Sequence, residues 1–117
     1  MLTISDKAHE MLLHYSSQAE EGDSLALRIE IVGRGPKGFQ YDLQFIDISD
    51  ASVDDVAQEV RGFQVRIAMR SAKYLDGATL DFKETLMGGG FSFENPNPLW
   101  IDDLSRRVAD VIDKNVN

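Results

Sequence analysis

A chain of 117 residues carries 20 acidic and 12 basic side chains, a net charge of −8, and no cysteine. The length suits one domain folded on one core. Without a thiol there can be no disulfide, nucleophilic cysteine or thiolate metal site, and His9 and His14 alone do not make a zinc site. The acidic balance argues against nucleic acid and anionic membrane as partners, since both demand clustered Lys and Arg. No apolar run is long enough to span a bilayer, and the start lacks the basic and apolar segments of a signal peptide, so a cytoplasmic protein is expected.

The stretch from Ser5 to Gly22 reads as a helix, with Ser5 as N-cap, Asp6 in the first turn and Gly22 as the stop. Ala8, Met11, Leu12, Tyr15 and Ala19 follow helical spacing and form its expected buried face. Leu25, Leu27, Ile29 and Ile31 then alternate with polar residues, as do Phe39, Tyr41, Leu43 and Phe45. Two such runs around a Gly/Pro loop predict an antiparallel hairpin. The acidic segment 47–62 reads as a surface connection with a short strand near Val56. Phe63, Val65, Ile67 and Met69 mark an inward-facing strand, and "RSAKYLDG" a helical turn closed by Gly77. "ATLDFKE" and "GFSFENPN" are two further strands around an "LMGGG" turn. From Asn97 a C-terminal helix is expected, capped by Asn97 with Pro98 first and Asp102 and Asp103 near its start. The pattern predicts an α+β domain rich in strands, not a βαβ repeat.

The loop Gly33-Arg34-Gly35-Pro36-Lys37-Gly38 matches the letters of a dinucleotide fingerprint, but the next residues alternate with period two. A fingerprint needs a helix opening there to hold the pyrophosphate, so the match fails its context. The plain alternative is a wide hairpin loop whose glycines supply positive φ angles.

Three segments, "GRGPKGFQYDL", "SAKYLDGATLDF" and "GGGFSFENPNP", stand in order over residues 2–98. Together they resemble the A-type iron–sulfur carrier (HesB-like) family, whose segments read Gly-x-Gly-Cys-Ser-Gly-Phe-x-Tyr, Ser-x-x-Tyr-Leu-x-Gly and Gly-Phe-x-Phe-x-Asn-Pro-Asn, with Cys-Gly-Cys shortly after. The resemblance implies a β-rich HesB-like domain over residues 1–98, with strands in a sandwich-like arrangement and an N-terminal helix. The added residues 99–117 are expected to form the C-terminal helix or to open a downstream Nfu-type domain, since "RRVADVIDKNVN" weakly resembles the start of an Nfu domain, as in two-domain Nfu-type carriers.

In the family, cysteines hold an iron–sulfur cluster. Here those positions fall at Pro36, Asp102 and Leu104, with Asp103 between the last two, so the resemblance implies a degenerate domain that binds no cluster itself. What it implies instead is an interaction module in iron–sulfur protein maturation, contacting apo iron–sulfur proteins or cluster carriers and scaffolds, with a homodimer left open. The candidate contact residues are Arg34, Pro36, Lys37 and Phe39 of the loop and Phe91, Phe93, Asn95 and Trp100 of the third segment. Trp100 is a candidate hot spot at the domain exit, although packing against the sheet is the commoner fate of such a residue. The alternative is an iron-binding protein using Asp102, Asp103 and Asp81 or histidine. No arrangement of Ser, His and Asp supports catalysis, and Asp54-Asp55 reads as part of a polar connector.

Overall fold

The computed structural model describes residues 1–20 and 24–101. Strand β1 (Thr3–Ile4) leads into helix α1 (Asp6–Ser17), followed by β2 (Leu25–Gly35) and β3 (Gly38–Asp47). Next come a 3-10 turn at Ile48–Asp50, β4 (Val56–Val60), β5 (Phe63–Ile67) and a second 3-10 turn at Met69–Ser71. The described chain continues with α2 (Ala72–Leu75), β6 (Thr79–Thr85) and β7 (Gly88–Glu94). The strands form two sheets, ordered β1-β6-β7 and β3-β2-β5-β4. β1–β6 and β2–β5 pair parallel and the rest antiparallel, which makes an α+β domain with mixed sheets.

Alternation decides which faces are buried. Leu27, Ile29 and Ile31 of β2 meet Phe63, Val65 and Ile67 of β5, and Leu80 and Phe82 of β6 join Ala8 and Leu12 of α1 in one core. Burying one such side chain is worth about 1.5–3 kcal/mol.

The Ser5 cap is where helix and small sheet are joined. Its hydroxyl oxygen accepts from the Ala8 N–H at 3.1 Å while donating to Asp81 at 2.7 Å. The same Asp81 oxygen accepts the Phe82 N–H at 2.8 Å. These bonds, the Ser5 hydroxyl first, hold the Asp81 carboxyl below the usual carboxylate range.

Several local expectations are corrected. In α1 the buried positions are Ala8, Leu12 and Ser16, spaced by four, while Tyr15 turns outward to the edge of Phe91. The helix ends at Ser17, and the Gly22 stop lies outside the described residues. Met69 is 64% exposed, because the chain leaves β5 and its alternation at Ala68 to enter the 3-10 turn. The β6–β7 turn is Leu86-Met87 alone, and Gly88, Gly89 and Gly90 already belong to β7.

Residues 97–101 are not helical, and the remainder of the expected C-terminal helix, 102–117, lies outside the described residues. The Asn97 side chain does not cap a helix from its N-terminal side. It donates to the backbone carbonyls of Tyr74 and Asp76.

The acidic connector also differs from a plain surface loop. Asp55 accepts from Arg28 Nε at 2.9 Å and its side chain is only 4% exposed. Arg28 also pairs with Glu30 at 2.8 Å, and the Asp55 and Glu30 bonds raise the guanidinium pKa further. The connector is thereby fastened to the outer face of β2.

Two measurements test these contacts. Asp55→Ala leaves Arg28 short of its main partner in a part-buried place and is expected to lower stability by about 1–3 kcal/mol, read from urea unfolding; an unchanged midpoint would contradict the anchoring. For Asp81, the folded pKa lies below the unfolded value of about 3.9. Its contribution is therefore complete above that value and lost as pH falls through the folded one. The stability gap between wild type and Asp81→Asn should be widest at neutral pH and close in acid; a gap independent of pH refutes the linkage.

Candidate functional site

The loop 33–38 is a tight turn. β2 and β3 stay paired up to Gly35 opposite Gly38, leaving Pro36 and Lys37 as the turn residues. Gly38 has φ +110°, which an L side chain rarely adopts, and Pro36 brings a fixed φ with no N–H. The wide loop expected from sequence is thus replaced by a two-residue turn, the register irregularity having been taken up earlier, between Ile31 and Gly33. Pro36 and Lys37 are both exposed.

Arg34 points away from the turn tip into aromatic company. Its guanidinium carbon lies 4.1 Å from the Trp100 ring centre, 4.6 Å from Tyr74 and 5.6 Å from Phe39. Its Nε donates to the Leu99 carbonyl at 2.6 Å. A planar, weakly hydrated guanidinium suits such stacking where an ammonium would not. Trp100 does not pack into the sheet: it is 61% exposed.

Tyr74 organises the rest. Its ring is 4% exposed, sits 5.7 Å from Phe39 and has Lys73 Nζ at 5.4 Å. Asn95 and Asn97 each donate to its carbonyl at 2.8 Å, and its hydroxyl accepts the Ile101 N–H at 3.1 Å. That last bond lowers the phenol's pKa. Asn95 also donates to the Tyr41 hydroxyl at 3.1 Å, and Tyr41 stacks on Phe93 at 4.0 Å. Burial pushes the Tyr41 phenol up. A cleft of about 270 Å³ opens beside this arrangement between Lys37, Phe39, Phe93 and Asn97.

Of the candidate residues, Arg34, Phe39 and Trp100 converge on Tyr74, while Phe93 and Asn95 converge on Tyr41. Phe91 does not join them: it packs edge-on against Phe82 and Tyr15, beside α1. Arg34 is not a free loop cation, as its guanidinium is held in place by the stack and the Leu99 carbonyl. Tyr74 was not among the candidates, although its place in "SAKYLDG" was the available signal.

The donor set does not fit a thiolate-held cluster. Pro36 has no ligating atom, and Asp102, Asp103 and Leu104 lie outside the described residues. Among the described residues no three His, Cys, Asp or Glu side chains come together as a metal site. Asp81 is engaged by Ser5, His9 faces the Arg61 carbonyl and His14 faces Gln18. No helix among the described residues is long and apolar enough to cross a membrane.

Mixed sheets, a capped N-terminal helix and a Gly-flanked hairpin turn beside an Asn-Pro-Asn strand end place the chain among the small cluster-biogenesis proteins. Residues 1–98 match the model of the iron–sulphur cluster biosynthesis family, and the chain belongs to that family. It is 37% identical over 97 residues to the chloroplastic iron–sulfur assembly protein IscA of Arabidopsis thaliana, a match covering 82% of this chain and 52% of the relative. The chain thus spans about half the length of that relative. It is 36% identical over 96 residues to the iron-binding protein IscA of Serratia proteamaculans, covering 82% and 86% of the two chains. Among solved structures it is similar to IscA with the [2Fe-2S] cluster, at a TM-score of 0.70 and 27% identity, covering 83% of this chain and 86% of the other. A solution structure from Aquifex aeolicus superposes with a TM-score of 0.63 at 36% identity, covering 81% and 91%.

Trp100 is the only tryptophan, so the stack can be read directly. Arg34→Ala should red-shift Trp100 emission and raise its acrylamide quenching, with a stability loss of about 0.5–2 kcal/mol. Arg34→Lys should recover little of the shift. Unaltered fluorescence in both variants would show that the stack does not hold Trp100.

Proposed function

We propose that this domain serves iron–sulfur protein maturation as an interaction module, contacting apo iron–sulfur proteins or the carriers that load them, without ligating the cluster itself and without catalysing a reaction. The observation that carries the reading is the replacement at the turn. Where the family presents a thiolate, this chain presents Pro36 on a tight hairpin. Beside it an arginine is fixed between aromatic rings, and a tryptophan is left mostly open. Family membership supports the process, and the chain's lack of any thiolate supports the division of labour.

A module of this kind needs a surface that is already formed. The exit segment is tied to the hairpin by Arg34 and to α2 by Asn95 and Asn97, so little ordering remains to be done when a partner arrives. A half-exposed tryptophan beside an arginine is the composition at which interface energy concentrates.

Two measurements decide it. The domain should retain apo iron–sulfur proteins in pull-down or calorimetric titration. After anaerobic incubation with iron and sulfide followed by desalting, it should show no visible chromophore and no stoichiometric iron or acid-labile sulfide. Cluster in whole-number ratio would overturn the non-ligating role. Failure to bind any apo client or carrier would overturn the interaction role.

A further inference from the structure

Resting on that reading, we propose that the face formed by Lys37, Lys73, Arg34 and Trp100 is the docking surface, and that it fits an acidic protein surface carrying carboxylates beside an apolar or aromatic residue.

The inference comes from how the cations are distributed. In a chain of net charge −8, Lys7, Arg28, Arg61 and Arg70 are paired with carboxylates, while Arg66 on β5 and Lys83 on β6 stand apart from one another without such a pair among the described residues. Lys37 and Lys73 have no carboxylate within ion-pair distance among the described residues. Both are exposed: Lys73 Nζ lies 5.4 Å from the Tyr74 ring that Arg34 also faces, and Lys37 lines the cleft beside Phe39. The acid nearest Lys73 in sequence, Asp76, is taken by the chain's amino group. Unpaired lysines thus stand beside the most exposed aromatic ring among the described residues, Trp100 at 61%.

Unpaired cations around an exposed ring offer a carboxylate an ion pair and a neighbouring side chain a stacking face. Three cations are too few for a polyanion groove, and the surrounding negative charge opposes one. A protein partner with a few well-placed acids is the better fit.

The full chain can be titrated with the random copolymer of glutamate and tyrosine, with Trp100 fluorescence as the readout. A single-stranded oligonucleotide of matched charge serves as comparison. Binding is expected at low salt, weakening as salt rises, and falling at least about tenfold in Lys37→Glu/Lys73→Glu. Lys83→Glu, at a cation on β6 outside this face, should bind as wild type does. Absence of copolymer binding, an equal loss in Lys83→Glu, or tighter binding of the oligonucleotide would each overturn the proposal. Retention of apo clients by Lys37→Glu/Lys73→Glu with unchanged affinity would also overturn it, yet leave the interaction role standing. Loss of client binding in wild type would instead remove that role.

Discussion

The Tyr74 carbonyl carries the constraint on which the candidate site depends. α2 is a single turn, Ala72–Leu75, and the carbonyls at the end of so short a helix have no intrahelical partner. Leaving them unpaired in a part-buried place would cost about 1–3 kcal/mol each. Asn95 and Asn97 supply the missing donors from the far end of β7, so the helix end and the strand end satisfy each other. The Tyr74 ring then stays buried, and only a fixed ring can serve as the second wall for Arg34. Backbone satisfaction at one helix terminus is thereby converted into the placement of Leu99 and Trp100 more than twenty residues further along the chain.

The same logic explains what the sequence made legible. β2 and β3 stand out because each alternates over a long run, with one face packed on the core. β4 shows no such alternation: Ala57, Gln58 and Glu59 lie on a sheet edge with little buried, and without a core face there is no period to read. Asp55 looked like one of many connector acids, since its role depends on Arg28, 27 residues away, and no local pattern encodes that pairing. At the site, the motif letters single out Tyr74, Asn95 and Asn97, yet their shared task emerges only when the strand end meets the helix end. Arg34 occupies a position the motif leaves unspecified. Its partners come from three separate segments, which makes its stack a tertiary fact.

A hairpin with no ligating side chain at its tip has two options. It can remain a loose glycine loop, or it can be rebuilt around something else. Here the two strands pair to the last residue before Pro36, and proline narrows the unfolded ensemble as well as the folded turn. Arg34 then sets its guanidinium against the rings and the Leu99 carbonyl, holding the exit segment in place. A fixed segment suits recognition, because ordering costs are met during folding and not at the encounter.

Charge decides the direction from which such an encounter is productive. A body of net charge −8 repels an acidic partner over most of its surface, and at physiological salt that repulsion reaches about 8 Å. Where Lys37 and Lys73 stand without carboxylate partners among the described residues, that repulsion is locally weakened. An approaching acidic surface is therefore turned toward the end where Trp100 is open, and wrong faces are disfavoured before any contact forms. Part of that orientation follows from the pairing of Lys7, Arg28, Arg61 and Arg70 with carboxylates elsewhere on the fold.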